Sequence, residues 1–176
     1  MFKRNVLAVA IGGTALLGCG ETETTKGSPD AAVSIDAAPA IDAPTGGGGT
    51  LAGMVSRSAQ PMGDARGHVY VALFDRDPVI NMSTAQVIAR VRIDNADLSA
   101  TGTTVAYTLT SIPPRTADYF LLAFLDDNAN VDPTSASAGP DRGDLVSLDG
   151  LAAPRVKVTG SGTQSENIIL NSVLPF

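Results

Sequence analysis

The sequence has very few of the residues on which disulfide scaffolds and many enzyme sites depend. Its 176 residues include one cysteine, one histidine and no tryptophan. The single cysteine, Cys19, excludes an internal disulfide and a cysteine-ligated zinc site. The single histidine, His68, has no Gly-x-Ser-x-Gly motif to accompany it, so we interpret it as a strand-start residue and not a catalytic base. We therefore expect no enzyme activity and no catalytic residue.

Basic residues are scarce as well. The chain has 12 Lys and Arg against 18 Asp and Glu, which gives a formal net charge of −6. Lys3 and Arg4 lie in a segment that we expect to be cleaved, so the mature chain keeps 10 basic and 18 acidic residues, a net charge of −8. Proteins bind nucleic-acid phosphates through clusters of Lys and Arg, and this sequence contains none. The composition argues against a nucleic-acid partner and is compatible with cation binding.

The chain also lacks an apolar run of the ~20 residues that a membrane-spanning helix needs. The run over residues 6–17 follows the basic start Met1–Arg4 and is interrupted only by Gly12, Gly13 and Thr14. A basic start followed by a short apolar run is typical of a secretory signal. The sequence therefore predicts export.

The next residues resemble the lipobox of bacterial lipoproteins. Leu16-Leu17-Gly18-Cys19 combines apolar residues, a small residue at the cleavage point and a cysteine. The resemblance implies a signal peptide over residues 1–18, lipid on the Cys19 thiol and an acyl chain such as palmitate on its amino group. Two or three chains make membrane attachment stable without a spanning helix. The alternative is an ordinary signal peptide, or a buried helix with an incidental cysteine.

The resemblance also bears on location. Gly20 follows the cysteine, whereas an Asp there would be an inner-membrane retention signal by analogy with well-studied lipoproteins. We therefore expect an extracytoplasmic protein on the outer membrane of a diderm bacterium. Its partners are the membrane, through the lipid on Cys19, and an envelope protein or polysaccharide.

Residues 19–50 separate this signal from the first strand pattern. They are rich in Thr, Asp, Ala, Pro and Gly, with a loose repeat in residues 34–44 and four consecutive glycines at 46–49. Such a composition buries too little apolar surface to offset the entropy of ordering it. We predict a disordered tether that spans ~30 Å on average as a flexible coil. A ligand motif for a partner protein is the alternative.

Residues 51–176 have the pattern of an all-β domain. Apolar and polar residues alternate in several short segments, and proline and glycine mark the turns between them. The strand over Asp118–Asp126 is apolar on both faces, so it should lie in the middle of a covered sheet. The predicted strands cover residues 51–55, 68–75, 86–93, 104–112, 118–126, 155–158 and 167–174. Seven short strands predict an antiparallel β-sandwich, as in the immunoglobulin-like folds.

Three stretches carry a second resemblance. Leu51–Val55, Val69–Asp75 and Ile112–Asp126 resemble the prealbumin-like sandwiches of the carboxypeptidase-regulatory type, which have a Gly-x-Val opening strand, a Pro-Gly-x-Tyr turn and an apolar strand. The chain departs from that pattern at residues 115–118, Arg-Thr-Ala-Asp, which replace the turn glycine. The resemblance implies an accessory or binding module without catalytic residues.

A group of oxygen-bearing side chains follows the central strand. Asp126, Asn128, Asn130 and Asp132 occupy alternate positions, as in calcium loops, and Asp141 and Asp144 could complete a shell of six to eight oxygens. Against an EF-hand, Val131 stands where the turn glycine is needed and Ser137 where a bidentate acid is needed. The alternative to calcium is an Asx-rich turn whose side chains bond their own backbone. No other cofactor is expected.

The central strand also has a second apolar face. Phe120 and Phe124 lie on it, whereas only the opposite face meets the other sheet of a sandwich. Residues 127–150 could fold over this face, or it could be a surface for a partner or ligand. We expect a lipid-anchored binding or structural module of the bacterial cell envelope. A carbohydrate-binding module is the alternative, and a small hydrolase is a third.

Overall fold

The computed structural model describes residues 47–132, 134 and 139–175. The predicted signal peptide, the lipidation site Cys19 and nearly all of the predicted tether lie outside these residues. Within the part of the chain that is described, no helix has the length and apolar composition needed to cross a membrane.

The described chain folds into two β-sheets, as predicted. The ten strands are β1 (Gly49–Arg57), β2 (Arg66–Phe74), β3 (Val87–Asp97), β4 (Val105–Ile112), β5 (Tyr119–Asp126), β6 (Leu145–Val146), β7 (Arg155–Val156), β8 (Thr163–Ser165), β9 (Ile168–Leu170) and β10 (Ser172–Val173). In the first sheet β1 lies between antiparallel β4 and the parallel strands β8 and β9. The second sheet has the order β10-β6-β5-β2-β3, and β7 also pairs with β5.

The predicted position of the central strand is confirmed, since β5 lies in the middle of the order β10-β6-β5-β2-β3 and also pairs with β7. Side chains from both sheets share one core. Its members include Leu51, Val55, Tyr107 and Leu109 from the first sheet and Val69, Val71, Leu121 and Leu125 from the second. The alternation in β4 and β5 places Tyr107, Leu109, Leu121 and Leu125 inward, as the sequence predicts. In β2 the face with Val69 and Val71 turns inward.

The inward and outward assignment at the start of β3 is wrong. The alternation over residues 86–93 predicts that Val87, Ala89, Val91 and Ile93 face the core and that Ile88 is an exception to the polar outer face. In the structure Val87 is 50% exposed and Ile88 packs against the core. The cause is an irregularity in the pairing with β2, where Leu73 pairs with Ala89 and Phe74 with Val87. The extra residue in a β-bulge reverses the faces of the residues beside it.

The strand count is higher than the predicted seven because several short strands carry too little periodicity to be found. The segment 167–174, predicted as one strand, divides at Asn171 into β9 of the first sheet and β10 of the second. Leu145–Val146, predicted as part of a loop, forms β6 beside β5. The segment from β9 to β10 thus passes from the first sheet to the second.

Gly53 of β1 is required by the crossing of the chain between β8 and β9. A Cβ atom at Gly53 would lie 1.8 Å from the carbonyl oxygen of Glu166, which connects those two strands. The same carbonyl accepts a 2.8 Å hydrogen bond from the hydroxyl of Tyr107, which pairs with Gly53 from the neighbouring strand β4. Glycine therefore lets the backbone of the β8–β9 connection lie directly on β1.

Candidate functional site

The acidic connection after β5 holds most of the residues predicted to bind calcium. Its first residue, Asp126, ends β5 and is 1% exposed, while Asp144 precedes β6 and is 0% exposed. Both are carried to the same end of the sandwich because β5 and β6 are antiparallel neighbours. Two carboxylates buried this deeply require hydrogen bonds or a cation to compensate for lost hydration.

Asp126 receives its compensation from the turn that follows it. Its Oδ1 accepts from the backbone N–H of Asn130 at 3.1 Å and its Oδ2 from that of Val131 at 3.2 Å. The left-handed residue of this turn is Ala129, with φ of 56°. An EF-hand loop would place its turn glycine at Val131 instead, so the local geometry is that of an Asx-type turn.

Asp144 bonds the other side of the same connection. Its Oδ1 accepts from the N–H of Asp127 at 3.2 Å and its Oδ2 from the N–H of Asp141 at 3.0 Å. Burial raises the pKa of the Asp144 carboxyl to about 6, and the charges of Asp141 and Asp126 raise it further against those two hydrogen bonds. The three acids are therefore close enough to repel one another.

Asp127 joins the connection to the turn before β2. Its Oδ2 accepts from Gly63 N–H and its Oδ1 from Ala65 N–H, both at 2.6 Å. Beside this contact is an open depression of ≈ 340 Å³, lined by Met62, Gly63, Asp127, Asn128, Arg142 and Gly143. Both carboxylate oxygens of Asp127 therefore hold the turn.

The remaining predicted ligands are also engaged locally. The side-chain amide of Asn128 donates to Asp141 Oδ1 at 3.0 Å and to the Arg142 carbonyl at 2.9 Å. Asp132 accepts from the backbone and hydroxyl of Thr134, which lowers its pKa. Asn130 is exposed. Ser137, the twelfth position of the loop comparison, lies outside the described residues.

The connection therefore brings Asp126, Asp141, Asp144 and Asn128 together but leaves Asp132 apart. No group of three or more His, Cys, Asp or Glu within the described ranges is arranged to hold a metal ion. The connection is a hydrogen-bonded turn in which each carboxylate oxygen of Asp126 and Asp144 accepts one backbone N–H. Calcium binding stays a prediction.

The predicted binding surface lies on the outer face of the second sheet. Phe124 is buried and stacks on Tyr70 of β2, with ring centroids 4.7 Å apart. Phe120 is half-buried, and the guanidinium of Arg155 lies 5.7 Å over its ring. Leu145–Val146, part of the segment expected to fold over this face, extends the sheet beside β5 instead. Of the two phenylalanines, only Phe120 is left partly open to a partner.

His68 lies on the same face and contacts acids, not a nucleophile. Its Nδ1 is 3.1 Å from Asp94 Oδ1, although the geometry is not that of a hydrogen bond. Asp94 also pairs with Arg92 at 2.6 Å, and the His68 ring meets Tyr70 edge to face. These neighbours place His68 beside the Arg92–Asp94 ion pair of the edge strand β3.

Arg115 is an organising residue that sequence reasoning missed. Its Nε donates to the Ala117 carbonyl at 3.1 Å, and its Nη2 donates to the carbonyls of Asp75, at 2.8 Å, and Asp118. The guanidinium also lies 3.6 Å over the Tyr119 ring. The signal was its place in the segment that replaces the turn glycine of the resembled domains, because a turn without glycine needs another source of order.

Comparison with known proteins adds no identity. No protein-family profile, no curated protein and no solved structure matches this sequence.

Proposed function

We propose that this chain is a lipid-anchored, extracytoplasmic β-sandwich that acts as a binding or structural module of the bacterial cell envelope. The observation that carries this is how the buried acids of the described domain are used. Asp77, Asp126 and Asp144 each accept hydrogen bonds from backbone N–H groups of their own connections. Buried polar groups that hold loops in place are typical of a stable scaffold. None of these three carboxylates is paired with another as an acid and a base would be.

The anchor rests on the residues up to Cys19. The basic start, the apolar run, Gly18 and the cysteine come in the order of a lipoprotein signal. Lipid on the cysteine provides the apolar anchor that the sandwich has no helix to supply. The partner of the module would be an envelope protein or a polysaccharide.

Replacement of the cysteine tests the anchor. Cys19→Ser should leave the protein unprocessed or released from the membrane, and labelled palmitate should enter the unaltered chain but not the variant. Gly20→Ser is the matched control, because it changes a neighbour without removing the thiol. A processed Cys19→Ser protein that still fractionates with the membrane would refute the anchor.

Calcium stabilisation is tested separately by thermal unfolding in calcium, in magnesium and in chelator. If calcium binds with the 10⁻⁴ to 10⁻³ M affinity typical of extracellular modules, a hundredfold excess over the dissociation constant adds about 2.7 kcal/mol. Asp126→Ala should remove that gain. It should also weaken the metal-free protein, because Asn130 and Val131 would lose the acceptor of their N–H groups. Equal midpoints in all three solutions would leave the connection as a hydrogen-bonded turn.

A further inference from the structure

Large apolar side chains are exposed on two connections of the second sheet. Ile80 and Met82, between β2 and β3, are 71% and 84% exposed, and Leu151, between β6 and β7, is 87% exposed. Val79 is 40% exposed beside them. We call these four residues the apolar tip. Single exposed apolar residues are ordinary, whereas several on adjoining loops mark an interaction site.

The two connections adjoin because one buried acid bonds both. Asp77 is 4% exposed, and its Oδ1 accepts from Val79 N–H at 2.9 Å and from Ala153 N–H at 3.3 Å. The loop after Asp77 satisfies its own backbone, since Asn81 N–H donates to the Asp77 carbonyl at 2.9 Å. A loop ordered in this way holds Ile80 and Met82 outward and exposes few unpaired polar groups.

The charges of the domain favour an apolar partner at the tip. Between residues 77 and 86 the only charged side chain is the buried Asp77. The acidic connection with Asp126, Asp141 and Asp144 lies at the opposite end of β5 from Tyr119, where the β2–β3 connection begins. The tip end is less acidic, although Asp149 is exposed two residues before Leu151. An anionic membrane surface would therefore repel the acidic end more strongly than the tip.

The chain enters the domain at the same end as the tip. Gly49, the first residue of β1, pairs with Ile112 at the end of β4. Arg115, just after β4, donates at 2.8 Å to the carbonyl of Asp75, the first residue of the β2–β3 connection. The described chain therefore begins at the end of the sandwich that carries the tip.

We propose that the apolar tip docks the domain onto the lipid bilayer that holds its anchor, with its side chains in the headgroup–acyl boundary. The inference rests on the proposed lipid anchor at Cys19. A tether over residues 20–46 would keep the tip within ~30 Å of the bilayer on average, so that weak apolar contacts suffice to orient the domain. The acidic connection then faces away from the membrane.

The test uses the full lipidated chain in phosphatidylethanolamine–phosphatidylglycerol vesicles. Met82→Cys places a thiol at the tip and Met62→Cys places one on the turn at the acidic end, where Met62 is 66% exposed. Lipid occupies the Cys19 thiol, so a thiol-reactive fluorophore labels only the new cysteine. A nitroxide-labelled phospholipid should quench the Met82 probe and leave the Met62 probe unquenched. Adding Ile80→Asp and Leu151→Asp should abolish quenching at Met82 while the protein still floats with the vesicles.

Other outcomes overturn the inference in distinguishable ways. A protein that floats with neither probe quenched keeps its anchor but does not dock, which leaves the tip to a protein partner. Equal quenching of both probes shows that the domain has no preferred end toward the lipid. A chain that fails to float and takes up fluorophore at Cys19 refutes the anchor itself, and the docking with it.

Discussion

At the scale of single residues, protonation of the buried Asp144 should stabilise the domain. Burial raises its pKa from 3.8 to about 6, so the folded state binds this proton more tightly than the unfolded state. The stabilisation is fully present below about pH 4 and is lost as the pH rises through about 6. A shift of about two pKa units corresponds to at most about 3 kcal/mol. Urea unfolding in chelator should give a larger unfolding free energy near pH 5 than near pH 8.

Asp144→Asn is the control for this pH dependence, because the amide does not titrate. The difference between the two pH values should shrink in the variant. Asp97 does not interfere, although the Ser99 hydroxyl and backbone lower its pKa to about 2. The stabilisation that Asp97 contributes has the opposite pH dependence, because it is present at high pH and is lost only as the pH falls from about 4 toward 2. An equal pH dependence in both proteins would show that Asp144 is not its source.

Arg115 should matter to stability through its planar group as much as through its charge. It bonds three carbonyls and stacks on Tyr119. Arg115→Ala should lower the unfolding free energy by about 2–3 kcal/mol, and Arg115→Lys should recover only part of it, because an ammonium group cannot reproduce the fork. Arg155→Ala is the control, because the Arg155 guanidinium lies 5.7 Å over the ring of the half-buried Phe120. This substitution should lower the unfolding free energy by less than about 1 kcal/mol. Urea unfolding compares the three, and full rescue by lysine would contradict the role of the planar group.

At the scale of strands, the sequence predicted the elements that bury one face over five or more residues. Alternation identified β2, β4 and β5, and for β4 and β5 also the inward face, because each such strand satisfies the core by its own pattern. The short strands β6 and β8 have no pattern of their own, and the pattern of residues 167–174 does not separate β9 from β10. Their places depend on free edges of β1 and β5, which only the folded arrangement creates.

The close crossing at Gly53 should make β1 intolerant of any side chain there. Gly53→Ala would place a Cβ atom 1.8 Å from the Glu166 carbonyl oxygen and force β8 and β9 away from β1. We expect a loss of about 3 kcal/mol or more in unfolding free energy. Gly160→Ala is the matched control, because nothing lies within 4 Å of its Cβ position. Equal denaturation midpoints for the two variants would show that the β8–β9 connection moves aside freely.

At the scale of the whole molecule, the candidate site was only half predictable. The spacing of Asp126, Asn128, Asn130 and Asp132 located the acidic connection but could not reveal where each oxygen points. Direction is set by contacts remote in sequence, such as Asp127 with Gly63 and Ala65. The apolar tip was not found either, because exposed and buried apolar residues look alike in a sequence without a strand period.

The sandwich should fold without the residues that precede Gly47, and removal of the first residues of β1 should destabilise it. A fragment beginning at Gly47 should unfold cooperatively at the same midpoint as an unlipidated chain beginning at Gly20, because residues 20–46 have no periodic apolar face. A fragment beginning at Thr50 should unfold at a lower temperature. It lacks Gly49, which is buried and pairs with Ile112. For a domain of this size each kcal/mol lost lowers the midpoint by roughly 4 °C. Calorimetry of the three proteins checks both statements. A lower midpoint for the Gly47 fragment than for the chain from Gly20 would show that the earlier segment packs on the domain. Equal midpoints for the two fragments would show that β1 begins later than Gly49.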